Sequence, residues 1–436
     1  MVRIPIGQIS EHTGGLVTIC GFVETIRDQK KRQFLVVRDF SGQIQAIHEK
    51  QSGEDPIATQ ISAMCEESTV CITGKVVANE VVKLGGMEIT IESIEIVGPA
   101  CQHMPINGQS SLDSRLDWRF LDLRRPENLL IFQIQTAMEH AMRCFWMERS
   151  FLEIHSPKLM ETASESGAEL FKMEYFGKIA YLAQSPQFYK QMAMASGFDR
   201  IFEIGPVFRA NPSFTSRHDT EFTSIDVELS WIDSHEDVMQ LEEEWLCYVL
   251  LSLQQEFGTR IKETYGVDVV IPEVPFPRVT MEEAYAILKE QGYAVTRAEK
   301  GDLDPEGERV LARYIKEKFG HEFVFVTNYP VSVRPFYHMR QPDNPGLTKS
   351  YDLLWRGLEI TTGAQREHRY DVLLRQVEEK GLSVEPLQHY LDFFKFGCPP
   401  HGGYGAGLTR LLMTLLELKN VREVTYLYRG PNRLAP

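Results

Sequence analysis

Residues 207–231 read VFRANPSFTSRHDTEFTSIDVELSW, a polar loop held between two strand-like runs. In the second run Ile225, Val227, Leu229 and Trp231 fall on one face, and Asp226, Glu228 and Ser230 on the other. Side chains on a strand alternate with a period of two. An antiparallel strand with its apolar face on a core and its carboxylates toward a cleft or solvent fits that pattern. The loop sets Arg209, Arg217 and His218 together, in a chain whose formal net charge is -15. Cationic groups crowded on one hairpin repel each other unless an anion lies among them.

Outward from this hairpin the chain divides by composition. The first hundred residues are β-rich, with LVTICGFVETI, QFLVVRDFSGQIQAIH, TVCITGKVV and MEITIESIEIVG separated by turn signals. A helix-like stretch, DPIATQISAMCEE, interrupts them after the third strand. About five strands with one helix between the third and fourth is the pattern of an OB-fold β-barrel, placed at 1–100. Residues 101–127, rich in Pro, Ser, Asp and Arg, read as a hinge. The next segment, NLLIFQIQTAMEHAMRCFWMERS, reads as a long helix, because Ile131, Ile134, Met138, Ala141 and Phe145 recur at helical spacing. FLEIHSPKLM reads as a short strand stopped by Pro157. From 128 to 436 strands and helices mix, an α+β pattern, with 281–320 mostly helical and a final helix over 406–418.

Composition narrows the function classes. At 436 residues, 43% hydrophobic and 25% charged, the chain has the profile of a globular protein of two or three domains. No apolar run reaches the length of a membrane span, and MVRIPIGQIS has no charged-then-apolar signal pattern. A cytoplasmic protein with no membrane partner is expected. Seven cysteines without a C-x-x-C pair point to reduced thiols and away from a zinc site. No P-loop and no Rossmann glycine fingerprint occurs. The basic run Arg27 to Arg32 is either a solvated hairpin tip or a patch that holds phosphates.

Several residues could carry chemistry, and each has an ordinary alternative. Asp352 and Glu359 flank YDLLWRGLE, which could turn back to bring both carboxylates to one hard cation, or leave them as surface charges. In LAQSPQFYKQ, Ser185 could cap a helix, and Lys190 could read a carboxylate or contact solvent. Arg366, two residues past a likely turn at Gly363 and Ala364, could hold a carboxylate bidentately or pair with Asp371. GGYGAGLTR reads as a glycine-rich opening to the last helix, with Arg410 one turn inside.

Their order along the chain is more specific than any one of them. The helix with FLEIHSPKL, then VFRANPSFTSRHDTEF, then GGYGAGLTRLL resemble the three motifs of class II aminoacyl-tRNA synthetases. The subgroup resembled charges aspartate, asparagine and lysine, and the archaeal-type aspartyl enzymes are nearest. The resemblance runs from GFVETIRD to PNRLAP. It implies an N-terminal OB-fold for the anticodon, a class II catalytic domain with an antiparallel sheet flanked by helices, and a homodimer with Pro157 near its interface. It implies that the anion of the 207–231 hairpin is the triphosphate of ATP. Arg209 would hold the α-phosphate and the amino-acid carboxylate, with Arg217 and His218 on the β- and γ-phosphates. Phe222 and Arg410 would sandwich adenine beside Gly407, and Asp352 and Glu359 would bind Mg²⁺. Lys190 and Arg366 would take the L-aspartate side chain, braced by Asp226, with Glu165, Ser185 and Gln187 around the ammonium. On the barrel, Phe34, Gln45 and Glu88 match residues used on the central uracil of the anticodon.

Two positions depart from the pattern. Motif 2 usually carries a glutamate where this chain has Asn211. Archaeal enzymes restricted to tRNA(Asp) tend to have tryptophan where this chain has Glu24. The expectation is an enzyme that charges tRNA(Asp) and also tRNA(Asn), the second product being passed to an amidotransferase. The alternatives are an asparaginyl-tRNA synthetase, against which Lys190 argues, a paralogue activating aspartate for another acceptor, and a non-catalytic RNA-binding protein.

Overall fold

The computed structural model describes residues 2–162, 169–212, 215–294 and 301–436. It divides into two compact units, 1–129 and 130–436.

The first unit is a closed barrel of β1 (Leu16–Asp28), β2 (Arg32–Arg38), β3 (Gln43–Glu49), β4 (Thr69–Ala78) and β5 (Met87–Gly98), in the order β1-β2-β3-β5-β4. Helix α1 (Pro56–Ala63) lies between β3 and β4 in sequence, so the OB-fold expected from the strand pattern is present. Leu35, Val37, Ile44 and Ile72 fill its core. Asp55 caps α1 by accepting from the Ala58 N–H, with Pro56 at the first helical position. One expectation fails in this unit. Cys20 and Cys71 are direct partners across β1 and β4 and are joined by a disulfide, where all seven cysteines were read as reduced. Sequence spacing gave no warning, because the pair is made by strand register.

The segment read as a hinge contains two short helices, α2 (Leu112–Asp117) and α3 (Arg119–Asp122), and α4 (Pro126–Glu148) follows. Next come β6 (Leu152–Glu153), β7 (Leu159–Met160), β8 (Lys172–Tyr175), β9 (Lys178–Leu182), α5 (Gln187–Ala195), β10 (Arg200–Phe208) and β11 (Glu221–Ser230). The long helix α6 (His235–Tyr265) leads to β12 (Arg278–Thr280), α7 (Met281–Glu290), α8 (Pro305–Phe319) and β13 (Phe323–Thr327). The chain ends with β14 (Ser350–Trp355), β15 (Leu358–Gln365), α9 (Tyr370–Glu379), α10 (Gln388–Lys395), β16 (His401–Gly407), α11 (Leu408–Leu415) and α12 (Val421–Val424).

Eight strands form one sheet in the order β12-β13-β14-β15-β16-β11-β10-β6, antiparallel except for its two outermost pairs. Ile225 and Val227 of β11 are fully buried in a core shared with α4, α6 and α11. The alternate residues Asp226 and Glu228 point to the other face, beside α5, and are buried there. The alternation ends earlier than expected. Trp231 has φ 63 and is 71% exposed, so it leaves the strand's apolar face, and its indole N–H donates to Asp199 at 3.0 Å.

Three local readings also change. FLEIHSPKLM holds two short strands in different sheets, since β6 pairs with β10 and β7 with β9. Gly363 and Ala364 lie inside β15. GGYGAG is strand β16, and the helix starts only at Leu408. The glycines serve close approach. A Cβ on Gly403 would stand 2.0 Å from the Val227 carbonyl oxygen and 2.4 Å from Glu228 Oε2.

Candidate active site

A cavity of about 310 Å³ opens against β11, β15, β16 and the start of α11. The loop after β10 contributes Arg209, Asn211, Arg217 and His218 to its wall, and β11 contributes Phe222 and Asp226. The Arg209 guanidinium lies 5.4 Å from the centre of the Phe222 ring. Arg410, on α11, donates from Nη1 to the Glu359 carbonyl oxygen at 2.9 Å. Gly407, the last residue of β16 and the N-cap of that helix, also lines the cavity.

The crowding of positive charge is relieved in two ways. Burial, and then Arg410, Arg217 and Arg209, push the His218 pKa down to about 4, so its ring is neutral. Arg217 is paired with Glu308 of α8, Nη1 to Oε2, at 2.8 Å. Burial pushes Glu308 up to about 7 although Arg217 favours its charge.

Lys190 is 1% exposed, far from the solvent position an early helical lysine would ordinarily take. Its Nζ lies 2.9 Å from Asp226 Oδ1 and 3.4 Å from Glu228 Oε2, and donates to the Tyr404 carbonyl oxygen at 3.1 Å. Arg366 grips Glu228 with two bonds, Nε to Oε1 at 3.0 Å and Nη2 to Oε2 at 3.3 Å. Burial opposes the Glu228 charge, but Arg366 and Lys190 outweigh it and hold the carboxyl below its ordinary value. The partner of Arg366 is therefore Glu228 and not Asp371. Two cations meet two protein carboxylates, so this corner carries no excess formal charge.

Asp352 and Glu359 stand on neighbouring strands of the β14–β15 hairpin, which turns at Arg356 and Gly357, both at positive φ. Glu359 lines the cavity. Asp352 is buried behind the cavity wall rather than part of its lining, with Oδ2 2.8 Å from Arg334 Nη2, the Tyr329 side chain hydrogen-bonded to the carboxylate, and Oδ1 without a further partner among the described residues. The two acids lie on adjacent strands without being direct cross-strand partners. A hard divalent cation needs only one or two protein carboxylates when phosphates supply the rest. Among the described residues no cluster of three or more His, Cys, Asp or Glu forms a self-sufficient metal site.

Ser185 and Gln187 also line the cavity, at the start of α5. Ser185 Oγ accepts from the Gln187 N–H at 3.4 Å, but Pro186 occupies the cap position. Glu165 lies outside the described residues. Sequence reading gave Glu228 no role in binding, although its place in the β11 alternation marked it. It also missed Glu308, Arg334 and His338, which no motif or spacing distinguishes.

On the barrel, Phe34 is half-buried and absent from the core that holds Leu35 and Val37. Its strand neighbour Val36 pairs with Gln45, which pairs with Glu88 across β3 and β5. Gln45 Nε2 donates to Glu88 Oε2 at 2.9 Å. Residues directly opposite in a sheet share a face. Phe34, Gln45 and Glu88 therefore stand on one outer face of the barrel.

A two-unit chain with this barrel, this sheet and this cation-lined cavity has the build of a class II synthetase. The chain belongs to that family. Residues 111–429 match the tRNA synthetases class II (D, K and N), and residues 17–97 match the OB-fold nucleic acid binding domain. It is 43% identical to the aspartate–tRNA(Asp/Asn) ligase of Aeropyrum pernix, over 97% of this chain and 96% of that one. It is 44% identical to the protein of that name from Methanopyrus kandleri, covering 98% and 97%. With the aspartate–tRNA(Asp) ligase of Pyrococcus abyssi it shares 40% identity over 98% of each chain. Among solved structures, asparaginyl-tRNA synthetase from Pyrococcus horikoshii complexed with asparaginyl-adenylate superposes with a TM-score of 0.93 at 32% identity, covering all of both chains. The described helices include none long and apolar enough to cross a membrane.

Proposed function

We propose that this protein attaches L-aspartate to tRNA(Asp), and also to tRNA(Asn), through an aspartyl-adenylate made from ATP. The observation that carries the reading is the convergence of Lys190 and Arg366 on the cavity that also holds Arg209, Phe222 and Arg410. One chamber thus offers donors for a side-chain carboxylate and a cationic, aromatic site for a nucleotide.

The chemistry follows from charge. The α-carboxylate of aspartate attacks the α-phosphorus in line, and pyrophosphate leaves. The nucleophile is already ionised, so no general base is needed. Catalysis is positioning and neutralisation of phosphate charge. Arg209 would bridge the α-phosphate and the amino-acid carboxylate, and Arg217 would leave Glu308 for the outer phosphates. His218, neutral, would donate a hydrogen bond. Phe222 and Arg410 would enclose adenine. Asp352 and Glu359 would hold Mg²⁺, which supplies further neutralisation of the triphosphate when bound. Ser185 and Gln187 would face the ammonium. The terminal ribose hydroxyl of the tRNA then attacks the adenylate carbonyl, releasing AMP.

Selection of aspartate rests on donors. Because Asp226 and Glu228 already neutralise the two cations, rejecting asparagine does not depend on an unpaired buried charge. Lys190 and Arg366 present only N–H groups, which suit a carboxylate and oppose the amide NH₂ of asparagine.

On the barrel, Phe34 would stack on an anticodon base while Gln45 and Glu88 read its edge. Glu24 is engaged by Gln43 at 2.6 Å, and no tryptophan occupies its position, which supports acceptance of tRNA(Asn) and hence an amidotransferase downstream. Leu152 and Leu159, either side of Pro157, are 53% and 44% exposed, which suits the burial of this edge in a homodimer. Charging purified tRNA(Asp) and tRNA(Asn) transcripts side by side with aspartate tests the reading. Comparable charging supports it, and charging of tRNA(Asp) alone removes the tRNA(Asn) half.

The likeness to asparaginyl-tRNA synthetase makes that the second reading. Exchange driven by asparagine in place of aspartate would establish it.

A further inference from the structure

Behind Gln187 lies a directed chain of hydrogen bonds. Gln187 and Gln191 stand one turn apart on the same face of α5. Gln187 Nε2 donates to Gln191 Oε1 at 3.1 Å, and the Tyr390 hydroxyl donates to the same oxygen at 2.9 Å. Gln191 Nε2 lies 3.1 Å from His401 Nε2, and His401 Nδ1 lies 2.8 Å from the Pro399 carbonyl oxygen. Gln191 and His401 are fully buried. The direction of each bond follows from the far end of the chain. A backbone carbonyl only accepts, so the ring proton of His401 must sit on Nδ1. The Cys398 thiol, 3.6 Å from that nitrogen, does not change this, because an unprotonated Nδ1 would set its lone pair against the carbonyl. Burial pushes the His401 pKa down to about 4, so the ring carries one proton only and Nε2 accepts. Gln191 must then give its NH₂ to His401 and turn its oxygen to Gln187. Gln187 must in turn give its NH₂ to Gln191, which points its own Oε1 the other way. Gln187 lines the cavity, and its Oε1 has no partner among the described residues and is not sealed from solvent. An acceptor, and not a donor, therefore opens onto the chamber at this point.

We propose that Gln191 is a positioning residue, locked by His401 so that the Gln187 amide oxygen faces the chamber and accepts a hydrogen bond from the α-ammonium of the substrate. The inference rests on the reading above that an amino acid occupies this cavity. With its amide reversed, Gln187 would turn an NH₂ group on the ammonium, donor against donor. The polarity of the ammonium site is thus set from the Pro399 carbonyl, three hydrogen bonds away.

The test compares wild type with Gln191→Met and Gln191→Glu in aspartate-dependent ATP–pyrophosphate exchange, with melting temperatures as a check on folding. Methionine keeps the length of the side chain and removes both polar ends. Glutamate keeps an acceptor for Gln187 and Tyr390, and its protonated form also keeps a donor for His401. A hydrogen bond to a charged group depends on the fixed amide, so the aspartate KM is expected to rise about 10-fold or more in Gln191→Met, with kcat and the ATP KM within about threefold of wild type. Gln191→Glu should recover most of that loss. A wild-type aspartate KM in Gln191→Met overturns the proposal, as does an equal rise in the KM values for ATP and aspartate, or a folded Gln191→Glu as impaired as Gln191→Met. Should Gln191→Met fail to fold, a neutron structure of the wild-type protein decides. Deuterium on His401 Nδ1 with the Gln187 amide nitrogen against Gln191 supports the proposal, and deuterium on His401 Nε2, or the Gln187 oxygen against Gln191, overturns it. Wild-type protein inert toward aspartate and asparagine alike removes the underlying reading instead.

Discussion

Glu228 is fully buried and receives Arg366 through two bonds while its Oε2 also lies 3.4 Å from Lys190 Nζ. A carboxylate thus bridges the two cations that the substrate is expected to meet. Breaking one member of a buried charge set leaves the others uncompensated, typically at about 3–5 kcal/mol. Glu228→Gln should therefore lower the melting temperature and, by loosening Arg366, raise the KM for aspartate. An unchanged melting temperature contradicts the bridging role.

If Arg217 binds phosphate as proposed, Glu308, its ion-pair partner, competes with that phosphate. With its pKa near 7, it is progressively ionised above neutrality and holds Arg217 more firmly as pH rises. The ATP KM of wild type should climb between about pH 7 and pH 8.5, and that climb should flatten in Glu308→Gln. Parallel profiles for the two proteins would remove the competition.

The motif order was legible in the chain, and so were the barrel and the carboxylate face of β11. Alternation and turn residues are local signals, and they sufficed for those elements. What local reading missed depends on contacts between distant strands. GGYGAG has no strand propensity, yet Gly403 must lie against Glu228, where any side chain would collide. Lys190 looks like a surface residue until α5 packs on β11. Arg334 and His338 sit in a segment without periodicity, and only the β14–β15 hairpin and the bridge to Arg366 bring them to the cavity. The Cys20–Cys71 pair likewise exists only through strand register.

Phe34→Ala tests the barrel separately from the catalytic unit. Base–aromatic stacking is worth about 1–3 kcal/mol, so the tRNA KM should rise roughly 5- to 150-fold. Aspartate-dependent exchange, which needs no tRNA, should be unaffected. Loss of both activities together would place Phe34 in the barrel's stability.

Glu242 offers a pH test of the fold. It is buried in α6, accepting from Tyr351 at 2.8 Å and from Thr361. Burial, set against these two bonds, pushes its pKa up to about 8. The native state therefore retains a proton that the unfolded chain releases near its ordinary value of 4.5. The stability present below that value is lost as pH rises toward 8, at up to about 1.4 kcal/mol per pH unit. Glu242→Gln should remove this loss, so its melting temperature relative to wild type should improve from pH 5 to about pH 8 and level off above it. A constant difference would mean that Glu242 is ionised throughout.

The most direct measurement is amino-acid-dependent ATP–pyrophosphate exchange by the wild-type protein, with aspartate and asparagine in parallel reactions containing Mg²⁺ and no tRNA. Lys190, Arg366 and their carboxylate partners are expected to support exchange with aspartate at least about 100-fold more efficiently than with asparagine, the scale of discrimination when a polar site meets the wrong hydrogen-bonding group. Equal exchange with both amino acids, or a preference for asparagine, would contradict the assignment of this cavity to aspartate.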